Sequence, residues 1–198
     1  MVGSFGSPFP HLFDMATIIP NILSLETLQI VSNNIELLSA AEREEGLQNE
    51  DMVGGAWSWY GLYITDSILM HIQSKVQQAI NKNLHPTYSF TRIYYEGQSL
   101  HRHVDRNACE ISVSLPVKFD KPWAIYMDGI PYTLDLGEAV VYNGCKECHW
   151  REPYTGQKSI HVFCHYVNAD GPYAHLKNDD RLNLGGIGKK YDDELMQS

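Results

Sequence analysis

The sequence predicts an α+β fold: two N-terminal helices packed on one sheet of a β-sandwich, for which a jelly roll (double-stranded β-helix) is the first choice. Three observations predict it. Two stretches in the first half carry apolar residues at helical spacing. From Thr87 onward the chain breaks into short β-branched and aromatic runs. Gly, Pro, Asp or Asn separate those runs at the close intervals of an antiparallel sandwich or barrel.

The 198 residues fit a single domain with a sizeable core. Its helical part spans about 20–85, its jelly-roll core about 86–168, and a loose tail rich in Asp, Gly, Lys and Asn follows. Residues 1–20, rich in Gly, Pro and Phe, read as an extended lead-in. A helix begins at Ser24, with Leu25, Leu28, Val31, Ile35 and Leu38 on one face, and Gly46 stops it. "GAWSWYG" at 55–61 alternates aromatic and small residues and reads as a strand. A second amphipathic helix runs from about Asp66 to Asn83 on Ile68, Ile72, Val76 and Ile80, with Pro86 ending it. "TYSFTRIYY", "CEISVSLPV", "PWAIYMDG", "GEAVVYNG" and "KSIHVFCHYV" then supply the strands.

A composition 43% hydrophobic and 20% charged is that of an ordinary soluble protein. The net charge of −9 argues against nucleic acid or an anionic membrane as partner. No run approaches the length of a transmembrane helix, and the N-terminus lacks a basic start followed by an apolar block. A cytoplasmic setting with four reduced cysteines is therefore expected.

Cys145-Lys146-Glu147-Cys148-His149 matches the C-x-x-C-H string of covalent haem attachment. Haem is attached in exported proteins, and this string lies between two expected strands rather than in a helical cytochrome. Zinc held by the two cysteines and His149 lacks a second C-x-x-C or H-x-x-x-H partner. The third reading makes His149 part of another ligand set.

His103-Val104-Asp105 supplies the rest of such a set. Two imidazoles and one carboxylate on one face of Fe(II) leave three positions open for a bidentate cosubstrate and O2. His149, His161 and His165 are the candidates for the distal imidazole. In "KSIHVFCHYV", Lys158, Ile160, Val162, Cys164 and Tyr166 share one face, and His161 and His165 share the other. If Lys158 points into the barrel, both of those histidines point outward and His149 remains.

His103, Asp105, His149 and Lys158, in that order and spacing, resemble the Fe(II)- and 2-oxoglutarate-dependent dioxygenases, and within them the prolyl 4-hydroxylase-like group. Tyr94 and Gly97, nine and six residues before His103, extend the likeness, which covers roughly residues 88–168. The resemblance implies that His103, Asp105 and His149 hold Fe(II). It implies that 2-oxoglutarate chelates the iron, its far carboxylate paired with Lys158 and hydrogen-bonded by Tyr94. It also implies O2-dependent hydroxylation of a C–H bond, with succinate as co-product and ascorbate as a reductant. The substrate is then a prolyl residue in a peptide or a free small molecule, and a metal-binding jelly roll without turnover is the alternative. Arg106 and Arg151 stay unassigned, at a substrate entrance or paired with a nearby carboxylate, and Trp150 is expected beside the iron site. Cys145 and Cys148 are read as reduced thiols beside the ligand loop, and Arg92 shares the Tyr94 face of its strand.

Overall fold

A computed structural model describes residues 16–44 and 56–185. The stop at Gly46, the lead-in before residue 16 and the last residues of the tail fall outside the described residues. In chain order the elements are β1 (Thr17–Ile19), α1 (Leu25–Glu44), β2 (Trp57–Tyr60), α2 (Tyr63–Ile80), β3 (Leu84–Tyr95) and β4 (Leu100–His103). They continue with β5 (Ile111–Phe119), β6 (Ile125–Met127), β7 (Ile130–Tyr132), β8 (Ala139–Tyr142), β9 (His149–Arg151) and β10 (Lys158–Asn168). Short 3-10 turns occupy Asn107–Cys109 and Ala174–Asp180.

The strands form two antiparallel sheets. The larger has the order β1-β8-β5-β10-β3-β2 and the smaller β4-β9-β6-β7. This is the jelly roll that the strand spacing predicts. Both helices cover the outer face of the larger sheet. Leu28, Val31 and Ile35 of α1 and Ile68, Ile72 and Val76 of α2 are buried in one cluster with Ile93, Leu115, Ile160 and Val162. Ser24 caps α1, its hydroxyl accepting from the Thr27 amide at 3.2 Å. Leu25, expected on the buried face, is the first residue of α1 and is 61% exposed.

Pro86 does not end α2. Asn81 ends it in the left-handed conformation (φ 51°), its N–H bonded to the Gln77 carbonyl. Pro86 lies inside β3, across from Tyr166 at the one register shift of the β3–β10 ladder, where a missing donor is tolerated.

The segment that composition reads as a loose tail is tied down over its described part. Arg181, 5% exposed, donates to Asp66 at 3.0 Å and to the Thr87 carbonyl at 2.9 Å. Asp179 accepts from Tyr60 at 2.5 Å and from both terminal nitrogens of Arg106 at 2.6 Å. No helix among the described residues is long and apolar enough to cross a membrane.

Candidate metal and cosubstrate site

β4 and β9 are neighbours in the smaller sheet, and His103 pairs directly with His149. An antiparallel ladder thus joins a pair distant in sequence. The chain leaves β4 at His103, and the Asp105 amide donates to the Gly144 carbonyl at 2.7 Å, which folds Asp105 back under both imidazoles. Gly144 has to be glycine, since a Cβ there would press on the Cys109 carbonyl, the Asp105 carboxylate and the Ser112 hydroxyl.

The three groups converge. Nε2 of His103 and Nε2 of His149 each lie 3.5 Å from Asp105 Oδ1, and all three ligand atoms fall within 4.8 Å of one another. The tautomers follow from the other ring nitrogens. His103 Nδ1 meets the His101 carbonyl at 2.8 Å, and His149 Nδ1 meets the Glu147 carbonyl at 2.9 Å. A carbonyl only accepts, so both Nδ1 atoms carry the proton and both Nε2 lone pairs face the shared space.

Burial raises the Asp105 carboxyl, but the two imidazoles facing it outweigh that effect and hold the group well below the usual carboxylate range. Asp105 in turn pushes His103 up, against a smaller opposing effect of burial. Ser112 donates to Asp105 Oδ2 at 2.9 Å and fixes the carboxylate from behind.

Lys158 is not in the barrel. It ends the β10 face that carries Ile160, Val162, Cys164 and Tyr166 into the helix-side core, and it pairs with Glu36 of α1. The parity premise is therefore reversed: His161 and His165 face the interior, at 2% and 6% exposure. They stay neutral there. Burial pushes His165 down to about 4 and His161 well below its ordinary value. Trp150, one residue along from His149, points away from the triad and stacks on Tyr126 at 5.2 Å.

Arg151 is one of the two arginines that the sequence left unassigned. It lies two residues beyond His149 on the same strand face, so both side chains enter the barrel. It is 2% exposed, and among the described residues its donors meet only neutral acceptors: the Trp123 carbonyl at 2.9 Å, and Ser114 Oγ and His161 Nδ1, both at 3.3 Å. Among the described residues its Nε has no partner. Burial pushes the guanidinium down to about 10. Tyr94, fully buried, completes this region, accepting from Arg92 at 2.9 Å and packing edge-on against Trp123. The signal for Arg151 was the spacing His149-x-Arg151, which places candidate ligand and cation on one face of any strand.

A cavity of about 350 Å3 opens over the triad. Its wall includes Tyr88, Phe90, Leu100, Phe163, Arg92 and Arg106. Arg106 lines the cavity and is paired with Asp179, the second of the two alternatives left open for it. Cys145 and Cys148 are free thiols, and neither joins a metal-ligating group among the described residues.

No family model matches the sequence, and no curated protein matches it. Solved structures do. A viral collagen prolyl hydroxylase from Paramecium bursaria Chlorella virus-1, in complex with 2-oxoglutarate, superposes with a TM-score of 0.56 at 13% identity, over 76% of this chain and 94% of that one. HygX from Streptomyces hygroscopicus, with nickel and 2-oxoglutarate bound, gives 0.58 at 9% identity, over 87% and 90%. SnoK, a non-haem α-ketoglutarate-dependent carbocyclase from nogalamycin biosynthesis, gives 0.61 at 14% identity, over 86% and 87%. Identities this low speak to architecture, and the chain has the jelly-roll fold of these oxygenases.

Proposed function

We propose that the chain is an Fe(II)- and 2-oxoglutarate-dependent dioxygenase that hydroxylates a C–H bond. The observation that carries this reading is the meeting of His103, Asp105 and His149 with both Nε2 lone pairs turned to one point. The donors suit the metal: two neutral imidazoles and one ionised carboxylate leave Fe(II) with net charge and open positions. The fold neighbours that bind 2-oxoglutarate and nickel add support.

The interior also suits the cosubstrate. A buried guanidinium surrounded by neutral acceptors carries an uncompensated charge, which a bound carboxylate relieves. We assign the far carboxylate of 2-oxoglutarate to Arg151 rather than Lys158. Tyr94 assists: its oxygen accepts from Arg92, so its proton is left to donate. Bound iron and 2-oxoglutarate supply O2 activation and the oxidising equivalents. The chain's part is placement. Trp123 and Tyr94 close the deep end to water, and the aromatic wall of the cavity holds the substrate carbon over the triad.

A prolyl side chain and a free small molecule both meet the size of this cavity. Its volume, at the lower end for small-molecule pockets, favours a compact free substrate. The test is succinate release from 2-oxoglutarate with Fe(II), O2 and ascorbate, followed by substrate trials with prolyl peptides and small apolar molecules. Succinate release that survives His149→Ala overturns the reading. Absence of release, with Fe(II) and 2-oxoglutarate both bound, leaves the jelly roll without turnover.

A further inference from the structure

A second cluster of metal-ligating side chains adjoins the first. Asp105, Cys109 and His165 each offer one ligand atom, and these atoms lie within 4.8 Å of one another. Three elements bring them together: the turn after β4, the 3-10 turn at 107–109, and β10. Thr87 pins the 3-10 turn, its hydroxyl donating to the Ala108 carbonyl at 2.7 Å. All three residues also line the cavity, so a hydrated ion entering it reaches them.

The protons leave the cluster able to ligate. Ser112 has one hydroxyl proton and two acceptors in reach, Asp105 Oδ2 at 2.9 Å and the Cys109 carbonyl at 3.1 Å. The charged carboxylate takes it. His165 Nδ1, 3.0 Å from the same hydroxyl oxygen, is then the donor, and its Nε2 keeps a lone pair. Cys109 Sγ has the Tyr88 hydroxyl at 3.0 Å as its hydrogen-bond partner among the described residues.

We propose that Asp105, Cys109 and His165 form a second metal site, for a soft divalent ion of the zinc class, overlapping the iron site at Asp105. A thiolate, an imidazole and a carboxylate together suit Zn(II), or Cd(II) and Co(II) in its place; Mg(II) and Ca(II) want oxygen alone. As the sulfur–metal bond forms, the Cys109 thiol proton leaves to solvent, with no change of oxidation state. Because Asp105 belongs to both ligand sets, zinc in this site draws on the carboxylate that iron needs. Zinc is thereby an antagonist of iron loading. The site does not depend on the dioxygenase reading, since its ligands survive removal of His103 and His149.

Co(II) titrated into the metal-free full-length protein tests this. A thiolate-to-cobalt charge-transfer band should appear in the wild type and in His103→Ala/His149→Ala, and should persist in Cys145→Ser/Cys148→Ser. It should vanish in Cys109→Ser. His165→Ala should weaken Co(II) binding by more than the roughly 10–100-fold that losing an outer hydrogen-bond partner costs. Zn(II) added before Fe(II) should suppress iron uptake, read by metal analysis, more strongly in the wild type than in Cys109→Ser, where zinc competes through the iron triad alone. Should Cys109→Ser fail to fold, Cys109→Ala serves the same comparison. A folded wild type without the band overturns the proposal, and so does a band that survives loss of the Cys109 sulfur.

Discussion

The sequence pattern gives the far carboxylate to Lys158, and the proposed function moves it to Arg151. Arg151→Met removes the only charge assigned to the far carboxylate. Breaking such a buried pair costs on the order of 3–5 kcal/mol, or roughly a 100-fold to several-thousand-fold loss of 2-oxoglutarate affinity. The unliganded fold should be little affected, because Arg151 has no carboxylate partner among the described residues. Lys158→Met should leave 2-oxoglutarate affinity unchanged, since its charge is spent on Glu36 outside the barrel. Anaerobic titration of 2-oxoglutarate into the Fe(II) protein, followed by its charge-transfer band, measures both variants. The opposite ranking would return the carboxylate to Lys158. His103→Ala, Asp105→Ala and His149→Ala should each abolish Fe(II) binding in the same titration. His161→Ala should keep the metal, because its Nδ1 accepts from Arg151 and its Nε2 bonds Ser159.

Two contacts between elements set how much each contributes to the fold. Asp66 of α2 accepts from Arg181 and from the Ser89 amide and hydroxyl, and both charges of the pair are almost fully buried. Asp66→Ala leaves Arg181 uncompensated and should cost about 3–5 kcal/mol, read as a lower urea midpoint. The Glu36 contact with Lys118 and Lys158 ties α1 to the sheet, but it is partly exposed and is worth at most about 1 kcal/mol. Burial raises the Glu36 carboxyl, and the two lysines outweigh it, so the folded value is the lower one. The contribution is therefore present at neutral pH and is lost as pH falls through the folded value, below the ordinary glutamate range. Glu36→Gln should remove that acid dependence from thermal unfolding without touching 2-oxoglutarate binding.

At the scale of the whole molecule, the two sides of the larger sheet carry separate duties. The outer side is an apolar core under two helices, while the inner side holds histidines, arginines and tyrosines around a cavity. On the proposed function, metal and cosubstrate would meet a prefolded interior, and they should stabilise by linkage rather than organise the chain. Mn(II) with 2-oxoglutarate at 100 times its dissociation constant adds about 2.7 kcal/mol. For a chain of this length that is roughly a 5–10 °C rise in Tm. Calorimetry with and without EDTA checks it, and a protein that unfolds on chelation would refute the separation.

The hydrophobic periods of 3.6 and 2 determined the two helices, the strand-rich second half and the jelly roll, because they record which face of each element meets the core. That His149 meets His103 and Asp105 was legible from the spacing of the pattern, not from strand parity, since an antiparallel pairing needs only two strands to bring them together. Which face of β10 turns inward was not legible. Alternation shows that Lys158 and His161 lie on opposite sides, but only packing under α1, with Glu36 waiting for the lysine, decided which side is the barrel. Arg151 stayed hidden for a related reason. A strand of three residues has no period to read, and a charged residue is expected at the surface until the surrounding sheet closes over it.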